Sequence, residues 1–212
     1  MADVRLIGLT GGIATGKSEV ARGLRRHGAA VVDTDEIARD VVKPDSAGLR
    51  AITGHFGTSI VNADGSLNRE QLAAVVFRDA EQRHALEDIV HPLIRASMWQ
   101  QIRAARASDA PLIVAVVPLL YEVGLDQDIA GVLLVYSSVA MQRQRLVEHR
   151  GLDGAQVDQR LRAQMSIDEK RARATWVIDN VGTLNELQSL VDAWWDETVG
   201  TSPLGISDAA TD

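Results

Sequence analysis

The chain has 212 residues, of which 46% are hydrophobic and 24% charged, with a formal net charge of −7. This is enough chain for one sizeable core with a small appended subdomain, and the acidic balance argues against a general nucleic-acid or membrane-surface binder. There is no cysteine, which excludes disulfides, Cys-ligated zinc and thiol catalysis and fits a reducing compartment.

The longest apolar run, Leu112 to Tyr121, contains a proline and is too short to span a bilayer. The N-terminus enters a strand almost at once, so no signal peptide is expected and a cytoplasmic location is. Val4 to Leu9 reads as a buried parallel strand, and Ser18 to His27 as the helix after it, ended by Gly28. Between them Gly11-x-x-x-x-Gly16-Lys17-Ser18 has P-loop spacing. Glycines let the backbone fold round a phosphate with its N–H groups turned inward, and the helix adds its positive end. In such a loop Lys17 can reach the β- and γ-phosphates, and the Ser18 hydroxyl can ligate Mg²⁺. The alternative is an ordinary Gly-rich turn; the strand before and the amphipathic helix after favour the P-loop. Lys17 is also one of three lysines against 19 arginines, which makes its place in the loop less open to accident.

Ala29 to Val32 is a second strand, followed by Asp33-Thr34-Asp35. Two carboxylates directly after a strand sit at its carboxyl end, where open α/β sheets bind ligands. Asp33 or Asp35 serves equally as N-cap of the next helix, Glu36 to Val42; a cap accounts for one of them, and Asp33 is favoured as functional. Residues 44–107 are too long for a simple crossover and read as a helical insert able to wall an acceptor pocket. Within it a helix spans Ser46 to Phe56, and a turn follows at Asn62 to Ser66. A helix capped by Asn68 comes next, with Leu72, Val75, Val76 and Phe77 as its apolar face. A longer helical stretch from Ala80 to Ala107 is one that Pro92 should kink or divide.

Pro111 to Val117 is a third strand, wholly apolar and hence central. The usual P-loop enzyme carries a magnesium-associated Asp after such a strand. Here Pro118-Leu119-Leu120-Tyr121-Glu122 follows, leaving Asp33 as the better carboxylate for a metal. Gly131 to Tyr136 is the fourth strand. Helices Ala140 to Arg150 and Ala155 to Met165 form a charge-rich hairpin, with Gln142 and Arg145 on one face of the first and Arg160, Arg162 and Gln164 on the second. It reads as a solvated hairpin or as a mobile arginine lid over ATP phosphates, and the two are compatible. Thr175 to Ile178 is the fifth strand, leading to Asp179-Asn180. Thr183 caps the last helix, Leu184 to about Val199, whose Trp194 and Trp195 pack on the sheet. Residues 200–212 read as a disordered tail.

From about residue 4 to 199 the chain resembles the dephospho-CoA kinases. The matching segments, in order, begin with Gly8-Leu9-Thr10-Gly11-Gly12-Ile13-x-x-Gly16-Lys17-Ser18 and Val32-Asp33-x-Asp35-x-Ile37-Ala38-Arg39. They continue with Asn68-Arg69, His91-Pro92-x-Ile94, Val117-Pro118-Leu119-Leu120-Tyr121-Glu122, Gln142-x-x-Arg145-x-x-x-x-Arg150 and Val177-Ile178-Asp179-Asn180-x-Gly182. The P-loop alone identifies only a superfamily; the Asp33 and His91-Pro92 segments are far more specific. The resemblance implies an α/β P-loop NTPase three-layer fold with a five-stranded parallel sheet. The nucleotide-binding core would be 1–43, 108–137 and 173–199, the helical CoA-binding insert 44–107, and the lid 138–172.

It also implies transfer of the ATP γ-phosphate to the ribose 3′-hydroxyl of dephospho-CoA, the last step of coenzyme A synthesis. Gly12, Ile13, Ala14, Thr15, Gly16, Lys17 and Ser18 would bind ATP phosphates, with Ser18 on Mg²⁺. Asp33 would stand near the acceptor hydroxyl as general base or metal-shell carboxylate, Arg145 would be a lid arginine on the phosphates, and Asn180 would sit beside adenine. Ala14-Thr15 stands where Gly-Ser is common and Tyr121 where Phe is, which leaves the contact of Tyr121 open. A kinase for another acceptor, such as a nucleoside, nucleotide or shikimate, shares the loop, lid and fold. A GTPase switch is disfavoured because the guanine-reading Asn-Lys-x-Asp motif is absent. No nucleic acid or membrane partner is expected.

Overall fold

The computed structural model describes residues 5–200; Val4 of the first expected strand and the tail from 201 on lie outside them. Residues 5–32 with 105–200 form one compact unit, and 33–104 a second.

The first unit is built on five parallel strands: β1 (Leu6–Gly11), β2 (Ala30–Asp33), β3 (Ile113–Val116), β4 (Val132–Tyr136) and β5 (Trp176–Asp179), in the order β2-β3-β1-β4-β5. β1 is the middle strand, paired with β3 (Leu6 opposite Ile113) and β4 (Gly8 opposite Val132). β3, expected to be central, lies between β2 and β1. Every residue of β1 and β3 is buried, as a parallel sheet covered on both faces requires. Helix α1 (Lys17–Arg26) and the last helix (Leu184–Trp195) pack Val20, Leu24, Leu187 and Val191 into one cluster with Leu9 and Val135. Trp194 meets Trp176 edge-on, and Trp195 stacks on His27. Both tryptophans therefore pack the last helix as the sequence suggests.

The second unit holds α2 (Thr34–Asp40), α3 (Ala47–Phe56), α4 (Arg69–Arg78) and most of α5 (Ala80–Arg106), and residues of α3, α4 and α5 gather round Val42, Ile52, Ile60 and Leu72. Ser46 and Asn68 cap α3 and α4 through their side-chain oxygens. The expected apolar face of α4 is narrower in the structure. Leu72 and Val76 turn inward, while Val75 lies at the rim and Phe77 is 74% exposed. Leu72 and Val76 are one turn apart, whereas Phe77 is five residues from Leu72 and points well off that stripe. Pro92 does not divide α5, which runs unbroken through it. Asp88, whose carbonyl the proline leaves without its helical donor, is exposed, as is Pro92, so the helix can pass through the proline without burying an unpaired group.

The charge-rich segment of the first unit is three helices: α6 (Val139–Arg150), α7 (Gly154–Arg162) and α8 (Ile167–Arg173). The second helix of the expected hairpin ends before Met165. A new helix then starts at Ser166, which forms a capping box with Glu169. That Ser-x-x-Glu spacing was available in the sequence. With the last helix numbered α9, no helix among the described residues is long and apolar enough to cross a membrane.

Candidate active site

β1 ends at Gly11 and the chain turns through residues 12–16 into α1. Ala14 (φ 59°) and Gly16 (φ 92°) are left-handed, and alternation of this kind gathers successive N–H groups into an anion nest. Gly16 is the N-cap of α1 and has no side chain to cap with. The first-turn amides, with the positive end of the helix dipole behind them, are therefore the natural donors for a phosphate. Lys17 begins α1, with its Nζ 3.3 Å from the Gly11 carbonyl; Ser18 follows it and is exposed.

Donors outside the loop hold its carbonyls. Arg145 of α6 donates to the Ala14 carbonyl at 3.2 Å, to Ser137 Oγ at 3.0 Å and to the Asn180 carbonyl at 3.1 Å. Asn180, just past β5, donates its Nδ2 to the Thr15 carbonyl at 2.9 Å. Ser137, just past β4, donates to the Asn180 carbonyl at 2.8 Å. A peptide C=O and the N–H across its bond point in opposite directions, so holding the Thr15 carbonyl outward turns the Gly16 N–H inward. Gln142, one turn before Arg145, is buried and donates to the Ser137 carbonyl at 2.9 Å. A Cβ at Gly12 would lie 2.4 Å from Gln142 Oε1, and one at Gly16 would lie 2.4 Å from Asn180 Nδ2. Gly16, left-handed as well, therefore demands glycine, while a Cβ at Gly12 would have to displace the Gln142 amide.

Lys17, Arg145, Asn180 and the loop residues 12–18, picked out from the sequence, thus converge at the carboxyl ends of β1, β4 and β5. Ser137 was not picked out; its only signal is its place directly after a strand. Arg143 pairs with Asp158 and joins α6 to α7, while Arg160 and Arg162 are exposed. Asp33 ends β2, half-buried, and its Oδ1 accepts the Asp35 N–H at 2.8 Å. The cap left open between the two aspartates therefore belongs to Asp33. A cavity of about 400 Å³ is lined by Asn180, Val181, Gly182, Glu186 and Leu187, and a second of about 400 Å³ by Gly12, Gln142, Leu161, Gln164 and Met165. Behind β3, Glu122 Oε1 receives Lys170 Nζ at 2.9 Å and the Met165 N–H at 2.9 Å. Burial pushes the Glu122 carboxyl upward, but these hydrogen bonds outweigh it and hold the group below its ordinary value of 4.5.

Over residues 5–186 the sequence matches the family described as Dephospho-CoA kinase. The chain belongs to the dephospho-CoA kinase family. The Dephospho-CoA kinase of Symbiobacterium thermophilum is 43% identical over 197 residues, 93% of this chain and 82% of that one. That of Anaeromyxobacter dehalogenans is 44% identical over 189 residues, 89% and 90% of the two chains. The crystal structure of TT1252 from Thermus thermophilus matches with a TM-score of 0.70 at 35% identity, covering 92% of this chain and 97% of that one. Family membership decides between acceptors that the fold leaves open. The enzyme is a nucleotide-using kinase that phosphorylates dephospho-CoA, the last step of coenzyme A biosynthesis.

Proposed function

We propose that the donor is Mg·ATP, held by residues 12–18, and that Asp33 prepares the ribose 3′-hydroxyl of dephospho-CoA for attack. The observation that carries this reading is the loop itself, with carbonyls bound from outside by Arg145 and Asn180 and an uncapped helix end within. Phosphoryl transfer needs positioning and charge neutralisation more than covalent help. The Gly16, Lys17 and Ser18 amides bind phosphate oxygens. The long bond from Lys17 Nζ to Gly11 is readily exchanged for a β- or γ-oxygen. Arg145 adds positive charge at the rim of the loop.

Adenine takes the cavity beside Asn180, between Val181 and Leu187. Magnesium fits the donors present. The Ser18 hydroxyl is a hard oxygen ligand, no group of three acidic or imidazole side chains competes among the described residues, and Mg²⁺ commonly takes its other ligands from phosphates and water. Held there by Ser18, the ion would supply charge neutralisation to the phosphates. One carboxylate oxygen of Asp33, Oδ1, accepts the Asp35 N–H; a carboxylate keeps further lone pairs, and these accept the proton of the attacking hydroxyl. The reading assigns the reaction to the cytoplasm.

The test is turnover with Mg·ATP and dephospho-CoA offered beside nucleosides, nucleotides and shikimate, with products weighed by mass spectrometry. One phosphate gained by dephospho-CoA alone is expected. Turnover of a different acceptor alone overturns the assignment. ATP, and not GTP, is expected to raise the melting temperature by mass action.

A further inference from the structure

Gln164 lies in the link between α7 and α8, and its side chain reaches the P-loop. Its Oε1 accepts the Ile13 N–H at 3.1 Å. Backbone geometry explains why that amide needs an outside partner. The Gly12 carbonyl points into the loop turn, where it accepts the Thr15 hydroxyl at 2.9 Å and the Thr15 N–H at 3.4 Å. The Ile13 N–H belongs to the same peptide and points the opposite way. It is therefore directed away from the turn, and Gln164 satisfies it.

Gln164 is itself held in register. The next residue, Met165, donates its N–H to Glu122, which also receives Lys170 Nζ. The Lys170 side chain is 0% exposed, and its Nζ also donates to the Pro118 carbonyl at 3.0 Å. The same carbonyl accepts the Thr10 hydroxyl at 3.2 Å. A continuous polar chain thus leaves β1 at Thr10, passes through Pro118, Lys170, Glu122 and Met165, and returns through Gln164 to Ile13. Its two ends bracket Gly11 and Gly12, where β1 gives way to the loop.

We propose that Gln164 is a positioning residue for phosphoryl transfer, fixing the Gly12–Ile13 peptide, with Glu122 and Lys170 keeping it in place. The proposal rests on the nucleotide site described above. Without an acceptor on Ile13 that peptide is free to rotate, and rotation withdraws the acceptor of Thr15 as well. Residues 12–15 then loosen together, and binding of the phosphates has to order them again.

Hydrogen exchange and Mg·ATP binding are measured on the full-length protein without acceptor, so that these results do not depend on which alcohol is phosphorylated; a separate turnover assay reads KM for dephospho-CoA. Gln164→Met keeps the side chain's length and removes the oxygen; Gln164→Glu restores an oxygen at the same reach. The Met variant is expected to speed hydrogen exchange at the Ile13 amide roughly tenfold and to weaken Mg·ATP binding by a similar factor. KM for dephospho-CoA should be unchanged, and the Glu variant should regain Ile13 protection. Glu122→Gln should weaken Mg·ATP binding less, and add little on top of Gln164→Met. Parental Ile13 exchange and parental Mg·ATP affinity in the Met variant overturn the proposal, as do fully additive effects of the two substitutions. Equal loss of both substrates' binding, with a collapse of melting temperature, also overturns it by showing a merely structural role. If the parent protein fails to bind Mg·ATP at all, the nucleotide reading falls, while Ile13 exchange still reports on the Gln164 contact.

Discussion

Arg145→Ala is the perturbation that best separates charge from architecture at this site. The Arg145 guanidinium ties three segments, donating to the Ala14 carbonyl, Ser137 Oγ and the Asn180 carbonyl at 3.0–3.2 Å. Hydrogen bonds from a charged donor contribute about 1.5–3 kcal/mol each. They are not additive, and the half-buried setting of Arg145 lets water replace part of what is lost. About 2–3 kcal/mol is expected for the set, a fall in melting temperature of about 4–12 °C for a protein of this size. The Ala14 carbonyl is then no longer held outward. If Arg145 faces the nucleotide phosphates as proposed, a positive charge beside them is gone too, and loss of one such transition-state donor costs about 10²–10³-fold in kcat. The assay is urea unfolding in parallel with single-turnover kinetics, on Arg145→Ala and Arg145→Lys. Lysine keeps the charge and loses the fork that reaches three oxygens. If Arg145 acts as a strut, lysine resembles alanine in both measurements. Full kcat and full stability in Arg145→Lys would refute the strut and leave charge alone as its role.

Asp33→Asn should lower kcat by about 10²–10⁴-fold, the worth of a general base, with Mg·ATP affinity and melting temperature held, because asparagine caps α2 as well as aspartate does; an unchanged kcat in steady-state assays rejects the assignment. Glu122 has its folded-state pKa depressed, so the stability it supplies is full above its ordinary value of 4.5 and is lost as pH falls through the lower folded value. Glu122→Gln should therefore be less stable than the parent at pH 7. Breaking a buried pair costs about 3–5 kcal/mol, and the 23% exposure of the Glu122 side chain places this pair at or below the lower figure. Urea midpoints from pH 7 to pH 3 should show the gap closing on acidification; a constant gap contradicts the reading. Burial pushes the Tyr121 phenol up to about 12, and its buried hydroxyl has no hydrogen-bond partner among the described residues. Tyr121→Phe keeps the ring under Arg173 and should be neutral or stabilising by up to about 1 kcal/mol, whereas a loss of that size in thermal unfolding would reveal a hidden partner.

The sequence by itself determined what local pattern and motif chemistry can carry. Continuous apolar runs marked β1, β3 and β4, because strands covered on both faces have no polar side to alternate with. Asn68 and Thr183 announced their helices because a cap acts within three residues of itself. The P-loop was legible because its glycines, lysine and serine are contiguous and each meets a backbone or phosphate requirement. Other features waited for the tertiary structure. Which aspartate caps α2 depended on the φ and ψ of Asp33, which neither residue's identity reveals. The burial of Leu72 and Val76 and the exposure of Phe77 depended on where neighbouring helices lie.

Gln142 stood out through the family motif it shares with Arg145, whereas Gln164 and Lys170 were visible as polar residues of a charge-rich segment, with nothing to separate them from solvated neighbours. Gln164 meets Ile13 across 151 residues of sequence, and Lys170 meets Pro118 across 52. A hydrogen bond has no sequence period when its partners lie on different elements. Its specificity arises only once the parallel order β2-β3-β1-β4-β5 brings the carboxyl ends of the strands, and the turns that follow them, to one edge.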